Sequence, residues 1–404
     1  MTAPIEGAWR RASRWVLSFM ALGAPALALR LSGLHLPSPL AALLFGLGIV
    51  GAAFLLSWAA EVAQLDVSAS FAIAVLALIG ILPEYAIEAV LAWKAGASFD
   101  PALGETTTQM QLVAANVTGP NRLLIGLGWS LVILVFWVRR RRSLDLRGYM
   151  ALEMTMLVAA TAVVFLLIVM KQIHIAVALL LVGMYVFYLW ASSRREAEEP
   201  ELMGVALLMG SLPRARRRAL VVFLFLYSAG IILLSAEPFV ESLVDTGLRL
   251  GIDEFVLIQW LAPLASESPE IIVAILFSLR ANPMAGLSTL ISAEVNQLTL
   301  LIGSMVVLFS LSAGQPLNFP LDHRQWTEFL LTAMVSVFAI LLIAPRVISW
   351  RGGLVILGLF VAHLFFVSSQ ERLYFVYLYA ALTVGLVLWD RRRLSQLFRA
   401  MTGG

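Results

Sequence analysis

Twelve apolar stretches of about 20 residues each, joined by short polar connections, restrict what this chain can fold into. A stretch of this length crosses the hydrocarbon core of a bilayer as a helix, because lipid offers no hydrogen-bond partner to an open backbone. Of the 404 residues, 61% are hydrophobic and 13% are charged, whereas soluble domains are about half apolar and a quarter charged. The chain is therefore predicted to be an all-α polytopic membrane protein. We place the spans near residues 12–31, 39–61, 70–93, 109–138, 151–170, 174–193, 219–240, 254–280, 286–312, 327–345, 353–369 and 373–389.

The basic residues set the predicted orientation of these spans. If both termini are cytoplasmic, most of the 28 lysines and arginines fall on the cytoplasmic side, as the positive-inside rule requires. The basic clusters are then determinants of orientation, and no nucleic-acid partner is expected. The first stretch has a cleaved signal peptide as its alternative interpretation, but its length and the lack of a small-residue cleavage site favour a span. We expect a multi-pass protein of the plasma membrane.

Two of the spans contain a proline followed by a glutamate in otherwise apolar surroundings. In LIGILPEYAIEAV, Pro83 precedes Glu84, and Glu88 follows one helical turn later. In LASESPEIIVAIL, Pro269 precedes Glu270. An ionised carboxylate at mid-membrane costs about 2.5–3.5 kcal/mol, and proline removes a helical hydrogen bond. We therefore expect broken helices whose carboxylates and free carbonyls face a cation, a proton or a polar partner.

The segments that follow these two spans indicate an internal repeat. LVAANVTGPNRLLIGLG in the first half aligns with LSTLISAEVNQLTLLIG in the second at an offset of 175 residues, the difference between Asn121 and Asn296. Five spans in each half place the second half upside down relative to the first, as in many secondary transporters. We predict two inverted five-helix repeats with helices broken at the midplane, plus one peripheral helix at each end. The predicted boundaries are a peripheral N-terminal helix at 1–37, a first repeat at 38–193, a cytoplasmic linker at 194–218, a second repeat at 219–370, and a peripheral helix with a basic tail at 371–404.

The polar residues inside the spans are rich in oxygen. The chain has no cysteine, so thiolate sites and disulfides are excluded, and oxygen donors suit hard cations such as calcium. For the hydroxyls the alternative is a bond back to a helix carbonyl, and for the acids it is a structural contact with a neighbouring helix. The candidates are Glu84, Glu88, Asn116, Thr118, Asn121, Ser266, Glu267, Ser268, Glu270, Glu294 and Asn296.

A Pro-Glu pair on one broken helix, followed by an asparagine- and glycine-rich segment on the next, resembles the alpha repeats of the cation/calcium exchanger superfamily. That superfamily includes sodium/calcium and calcium/proton antiporters, and its pattern is GTSLPE followed by GNxxGSNxxN/D. The matching residues are Leu82, Pro83, Glu84, Asn116, Val117, Gly119 and Asn121 in repeat one, and Ser266, Pro269, Glu270 and Asn296 in repeat two. The resemblance implies that Glu84 and Glu270 bind the transported divalent ion. Asn116, Asn121, Asn296 and Ser266 are the further cation ligands expected on this basis.

The chain departs from the family pattern at hydroxyl and amide positions. The Thr-Ser pair is replaced by Gly80-Ile81 and Ser266-Glu267, the serine of GSN by Pro120 and Val295, and the final Asn or Asp by Leu124 and Thr299. In sodium-coupled relatives these positions help to form sodium sites, so their loss disfavours sodium coupling. The added carboxylates Glu88, Glu267 and Glu294 supply groups that exchange protons, which favours proton coupling.

Arg122 is a basic residue inside a predicted span. We expect it to act with Thr118 as an accessory group, with Arg122 neutralising an added carboxylate, either Glu88 or Glu294. The alternative is that its side chain snorkels to an interface from a tilted or shorter helix.

These observations predict a secondary active antiporter that exchanges calcium, or a similar divalent cation, for protons by alternating access at a shared carboxylate site. The alternatives are a sodium/calcium or sodium/proton antiporter of the same fold and, from another class, a non-transporting membrane scaffold. An enzyme is not expected, because the chain has no His-Glu-x-x-His, no Gly-x-Ser-x-Gly and no paired intramembrane aspartates. The expected partners are inorganic cations and the lipid bilayer. No cofactor is expected beyond the transported ions, and the oligomeric state stays open.

Overall fold

The computed structural model describes residues 3–66, 81–146, 150–194, 202, 204–280 and 282–402, with side chains described from Ser13 onwards. Residues 70–80 of the predicted third span, and residues 195–201 and 203 of the predicted linker, lie outside the described residues. Each predicted span coincides with a described helix, the third from Leu82 onwards. Ten continuous helices among the described residues are long and apolar enough to cross a membrane. Two of them, Thr108–Arg140 and Pro283–Ser312, each include a π-helical segment. The described parts of the other two spans have 17 and 15 residues.

The helices and strands follow one another in a simple order. The first half contains α1 (Ala3–Ser32), α2 (Ser38–Ala63), α3 (Leu82–Ser98), α4 (Thr108–Leu123), the π-helical segment π1 (Leu124–Trp129), α5 (Ser130–Arg140), β1 (Leu144–Asp145), α6 (Ala151–Met170), β2 (Gln172–Ile173) and α7 (Ile175–Ser193). The second half contains α8 (Gly204–Gly210), α9 (Arg214–Leu250), α10 (Glu254–Leu279), α11 (Pro283–Asn296), the π-helical segment π2 (Gln297–Leu301), α12 (Ile302–Ser312), β3 (Phe319–Pro320), α13 (His323–Ile343), β4 (Val347–Ile348), α14 (Trp350–Leu364), α15 (Ser369–Trp389) and α16 (Arg392–Thr402). The chain divides into unit 1, with Met1–Val90 and Leu189–Pro269, and unit 2, with Leu91–Tyr188 and Glu270–Gly404.

Unit 1 is built around α2. This helix packs along α9 and also contacts α1 and α8. Glycines let these backbones approach closely, because a Cβ on Gly51 would lie 2.5 Å from the carbonyl oxygen of Phe19 and one on Gly48 would lie 2.9 Å from the Cβ of Ala26. Small residues therefore determine where the helices of unit 1 meet.

The predicted linker at 194–218 contains two helical parts. Its apolar segment GVALLMG forms α8, whose Ala206 and Met209 are buried against α2. The next helix, α9, begins at Arg214 and extends to Leu250, whereas the corresponding span is predicted at 219–240. The sequence does not predict α8 because its seven apolar residues are too few for a membrane span and are flanked by charged residues.

The strands of unit 2 show the relationship between the two repeats. β1 pairs with β4 and β2 pairs with β3, both antiparallel. An offset of 175 residues, the difference between Leu144 and Phe319, superposes β1 on β3, and the same offset superposes Gln172 of β2 on Val347 of β4. The offset therefore converts one two-stranded sheet into the other. This confirms the internal repeat with the same offset that the sequence gives.

The two sheets lie at opposite ends of α6. This helix begins after β1 and ends before β2, and its 20 residues extend about 30 Å. The equivalent strands β1 and β3 therefore lie at opposite ends, as inverted repeats require. The turns match as well: Lys171 and Arg346 are left-handed, with φ of 53° and 57°, and their carbonyls accept hydrogen bonds from the amides of Leu321 and Leu146.

Candidate functional site

The first Pro-Glu pair lies in the first turn of α3, in unit 1. Pro83 is the second residue of α3, and proline is tolerated in the first turn of a helix. Residues 67–80 before it lie outside the described residues, so the break at Pro83 stays a prediction. Glu84 is 5% exposed, and Glu88, one turn later, is fully buried. Glu84 lies at the positive end of the helix dipole, which stabilises a carboxylate.

The second Pro-Glu pair lies inside α10. Pro269 has no N–H, so it cannot make the helical hydrogen bond to the carbonyl of Ala265. Ser266 and Glu267 are buried. Oε2 of Glu270 is also buried, and it has no hydrogen-bond partner among the described residues. This part of α10 therefore offers carbonyl and carboxylate oxygens to a cation or a proton.

The candidate hydroxyls bond back to their own helices. Ser266 donates to the carbonyl of Ala262 at 3.3 Å, and Thr118 donates to the carbonyl of Ala114 at 2.7 Å. Ser268 likewise donates to the carbonyl of Leu264. These contacts match the structural alternative for the hydroxyls. Each oxygen nevertheless keeps its lone pairs, so it remains able to bind a cation.

The end of α4 contains the candidate residues of repeat one. Asn116, Asn121 and Arg122 are 3%, 0% and 1% exposed. Pro120 lies inside this helix and cannot donate to the carbonyl of Asn116. The wider π1 segment follows directly, and such segments frequently occur at functional sites. The backbone of α4 and π1 thus departs from regular α-helix at two neighbouring places.

The end of α11 reproduces this arrangement in repeat two. Glu294 and Asn296 are buried in its last turn, and π2 follows directly. Glu294 lies beside the indole of Trp129. Asn121 and Asn296, which the 175-residue offset superposes, therefore both lie in the last turn before a π-helical segment.

A polar stripe on α13, formed by Glu328, Thr332 and Ser336, contacts α4. These residues are four positions apart and share one helix face, and all three are at most 1% exposed. Ser336 Oγ donates to Asn121 Oδ1 at 3.1 Å, and Thr332 Oγ1 donates to the carbonyl oxygen of Thr118 at 3.4 Å. The α13 polar stripe thus orients two of the predicted site residues. Three polar residues at helical spacing in a predicted span are the sequence pattern that reveals it.

Arg122 forms a buried ion pair with this stripe. Its Nη2 lies 2.6 Å from Glu328 Oε2, and Arg372 Nη1 lies 2.6 Å from Glu328 Oε1, with all three side chains 1% exposed. This burial excludes the snorkelling alternative. The sequence-based hypothesis names Glu88 or Glu294 as the partner of Arg122 and misses Glu328.

The predicted site residues belong to both units. Unit 1 contains Glu84, Glu88, Ser266 and Glu267, and unit 2 contains Asn116, Thr118, Asn121, Arg122, Glu270, Glu294 and Asn296. Among the described residues, no three Asp, Glu or His side chains are grouped so that they could hold a metal ion. Calcium accepts mixed coordination by carboxylate, amide, hydroxyl, carbonyl and water oxygens.

Comparison with known proteins gives the family. A family model described as sodium/calcium exchanger protein matches residues 38–194 and 220–369. The chain belongs to the sodium/calcium exchanger family. This confirms the resemblance recognised in the sequence and identifies an ion exchanger of the membrane, not an enzyme. A search of curated proteins found no match.

Solved structures agree with this assignment. The crystal structure of the H+/Ca2+ exchanger CAX is 39% identical in sequence, with a TM-score of 0.88, and the match covers 97% of this chain and 98% of that chain. Native YfkE is 14% identical, with a TM-score of 0.62 and coverage of 89% and 99%. The sodium-calcium exchanger NCX_Mj is 16% identical, with a TM-score of 0.52 and coverage of 86% and 99%. The last two matches show the fold alone, and together with the repeat of unit 2 they confirm the predicted all-α, inverted-repeat architecture.

Proposed function

We propose that this exchanger moves calcium, or a similar divalent cation, in exchange for protons. The observation that carries the proposal is the similarity to the H+/Ca2+ exchanger CAX, at 39% identity over 97% of the chain. Identity at this level over nearly the whole length favours the same pair of ions. YfkE, described as a Ca2+/H+ antiporter, and the sodium-calcium exchanger NCX_Mj are both less than 20% identical to this chain, so they do not discriminate between ions.

Glu84 and Glu270 are the carboxylates that we assign to the cation. Each lies next to a proline in a helix, and each has carboxylate oxygen buried from solvent. Calcium prefers six to eight oxygen ligands, which two carboxylates alone do not supply. The proposed additional ligands are Asn116, Asn121, Asn296 and Ser266, together with the carbonyls that Pro120 and Pro269 leave without a helical donor.

Proton coupling follows from the burial of these carboxylates. An ionised carboxylate inside a membrane protein needs a counter-charge, and in the absence of a cation the simplest compensation is a proton. Calcium and protons therefore exclude each other at Glu84 and Glu270, and this exclusion couples their fluxes. The buried Glu88, Glu267 and Glu294 are proposed as accessory proton-binding groups.

Transport additionally requires that the ion-binding site becomes accessible from each side of the membrane in turn. Inverted repeats provide two equivalent halves whose exchange of conformations opens a site first to one side and then to the other. An ion drives this change only if its affinity differs between the two states. We propose that both termini are cytoplasmic, because this orientation puts most of the basic residues inside. The plasma membrane is the proposed location.

Calcium flux in proteoliposomes tests the proposal. Wild type, Glu270→Gln and the control Glu237→Gln are reconstituted, and calcium uptake is followed under an imposed pH gradient and then under a sodium gradient. Glu237 is a suitable control because its side chain is 45% exposed and pairs with Arg30 at the surface. We expect uptake driven by the pH gradient in wild type and in the control, and none in Glu270→Gln.

Two results contradict the proposal. Uptake driven only by sodium identifies a sodium/calcium exchanger, and the absence of calcium movement under either gradient removes the divalent assignment in favour of sodium/proton exchange. Size-exclusion chromatography of the same preparations shows whether a protein without calcium uptake is folded or misfolded.

A further inference from the structure

Arg122, Glu328 and Arg372 form a buried ion network in unit 2. Arg122 contributes one contact of 2.6 Å to Glu328 Oε2, while Nη1 of Arg372 lies 2.6 Å from Oε1 and 2.7 Å from Oε2 of the same carboxylate. The three residues belong to α4, α13 and α15. A single carboxylate therefore joins three helices and balances one of two positive charges.

Stability alone does not account for this network. Moving ions out of water carries a desolvation penalty that their mutual attraction often fails to offset, and well-packed apolar residues of similar volume are frequently as stabilising. All three side chains are 1% exposed, so each carries that penalty almost in full. Charged side chains form directional contacts with fixed geometry, whereas apolar side chains do not.

These contacts fix the turn of α4 that contains candidate cation ligands. Nε of Arg122 donates to the carbonyl of Thr118 at 3.1 Å, and its Nη2 lies 3.4 Å from the Thr118 hydroxyl. The α13 polar stripe donates to the same carbonyl and to the amide oxygen of Asn121. Because Pro120 deprives this turn of one of its own hydrogen bonds, side-chain contacts replace the missing backbone restraint.

The other repeat has no arginine at the equivalent position. The 175-residue offset, which also separates Arg122 from Gln297 and Glu153 from Glu328, places a neutral amide where repeat one has a guanidinium. Gln297 and Glu153 are both buried, and α6, which contains Glu153, packs against α11 and π2. Arg372 lies on α15, after the second predicted repeat.

We propose that Arg122, Glu328 and Arg372 are positioning residues that hold Thr118 and Asn121 of α4 in the geometry for cation binding. Through Arg372, the predicted peripheral helix α15 contributes to cation binding by the exchanger. The identity of the cation rests on the proposed function, whereas the restraint on α4 does not depend on it.

The most informative variant is Arg372→Gln. It leaves one guanidinium and one carboxylate in place, so the remaining pair is neutral and the protein is expected to fold. Hydrogen exchange is measured for residues 114–123 of α4 and for the equivalent residues 289–298, and calcium KM and maximal rate are measured in proteoliposomes. Arg372→Lys is the conservative variant, since lysine keeps the charge but lacks the planar guanidinium whose Nη1 contacts both oxygens of Glu328. Glu153→Gln is the matched variant of the other repeat.

We expect Arg372→Gln to accelerate exchange in 114–123 and leave 289–298 unchanged. The calcium KM rises by about tenfold, as for loss of a charge-assisted hydrogen bond, with little change in maximal rate. Arg372→Lys gives an intermediate KM, and Glu153→Gln leaves both exchange in 114–123 and the KM near wild type.

Several results overturn this inference. Unchanged exchange in 114–123 shows that the network does not restrain α4, and equal acceleration in both segments shows a general loss of stability. A lower melting temperature with an unchanged KM shows a purely structural network. If wild type moves no calcium, the proposed function fails, and exchange in 114–123 still decides whether the network restrains α4.

Discussion

The two repeats have the same backbone plan but differ in the polar chemistry that supports it. In unit 2, Ser336 of α13 reaches across to the amide oxygen of Asn121 on α4. The Ser336 hydroxyl also lies 3.0 Å from the carbonyl oxygen of Thr332 in its own helix. Its counterpart under the 175-residue offset, Thr161 of α6, donates to the carbonyl of Leu157 in its own helix. The equivalent helices α6 and α13 therefore have the same place in their repeats. Among the described hydrogen bonds, Ser336 of α13 bonds to the opposite repeat, and Thr161 of α6 does not. Backbone symmetry fixes where the site residues lie, and side chains that break the symmetry determine how firmly each half is held.

The largest difference is expected when the central carboxylates of the two repeats are neutralised. Glu328→Gln removes the carboxylate that pairs with both buried arginines, Arg122 and Arg372, and removing one partner of a buried pair typically costs about 3–5 kcal/mol. We expect little monodisperse protein and no calcium uptake. Glu153→Gln is the equivalent change in the other repeat, where Gln297 stands at the position of Arg122, and we expect it to fold and to retain most of its transport. Equal losses in the two variants, measured as folded yield and uptake, contradict the difference between the repeats.

A smaller difference is expected for the hydroxyl positions. Ser336→Ala removes the donor that orients Asn121, and a single hydrogen bond contributes about 0.5–1.5 kcal/mol. The calcium KM is therefore expected to rise by about twofold to tenfold. The described contact of the Thr161 hydroxyl lies within its own helix, so we expect Thr161→Ala to keep a calcium KM close to wild type. If Thr161→Ala changes the calcium KM as much as Ser336→Ala does, the asymmetry has no role in cation binding.

The smallest effect is expected outside the membrane spans, where a partly exposed ion cluster contrasts with the buried network. After the end of α2, Asp66 accepts hydrogen bonds from Arg217 at 2.7 and 2.9 Å and also contacts Arg214 and Arg218. The hydrogen bonds from Arg217 lower the pKa of Asp66 to about 2. The contribution of ionised Asp66 to the stability of the folded protein is then fully present above the ordinary pKa of an aspartate, near 3.8. This contribution is lost as the pH falls toward 2.

The melting temperature of Asp66→Asn measures this contribution. At pH 6 the variant is expected to melt a few degrees below wild type, and the difference is expected to shrink between about pH 4 and pH 2 as Asp66 is protonated in the wild type. Arg214, which is 69% exposed at this cluster, supplies the control Arg214→Gln with a smaller effect. A difference that stays constant across this range shows that the charge of Asp66 is not what stabilises the end of α2.

Much of the fold is predictable from sequence because membrane spans are local patterns. All twelve predicted stretches contain described helix, and the 175-residue offset is already evident from Asn121 and Asn296. The strands are not predictable, since each has two residues and forms only where repeat symmetry brings two turns together. The pairing of Arg122 is missed for a related reason. Glu328 is 206 residues away, and no periodicity in the sequence connects α4 with α13.

Proton release on calcium binding tests the central claim most directly, because it requires neither a membrane nor a gradient. Calcium is titrated into purified protein in weakly buffered solution at several pH values, and bound calcium and released protons are measured together, with Glu270→Gln and Glu237→Gln beside wild type. A shared carboxylate site predicts that wild type and Glu237→Gln release protons as calcium binds, and that Glu270→Gln binds weakly and releases fewer. Tight calcium binding by wild type without proton release at any pH contradicts the account.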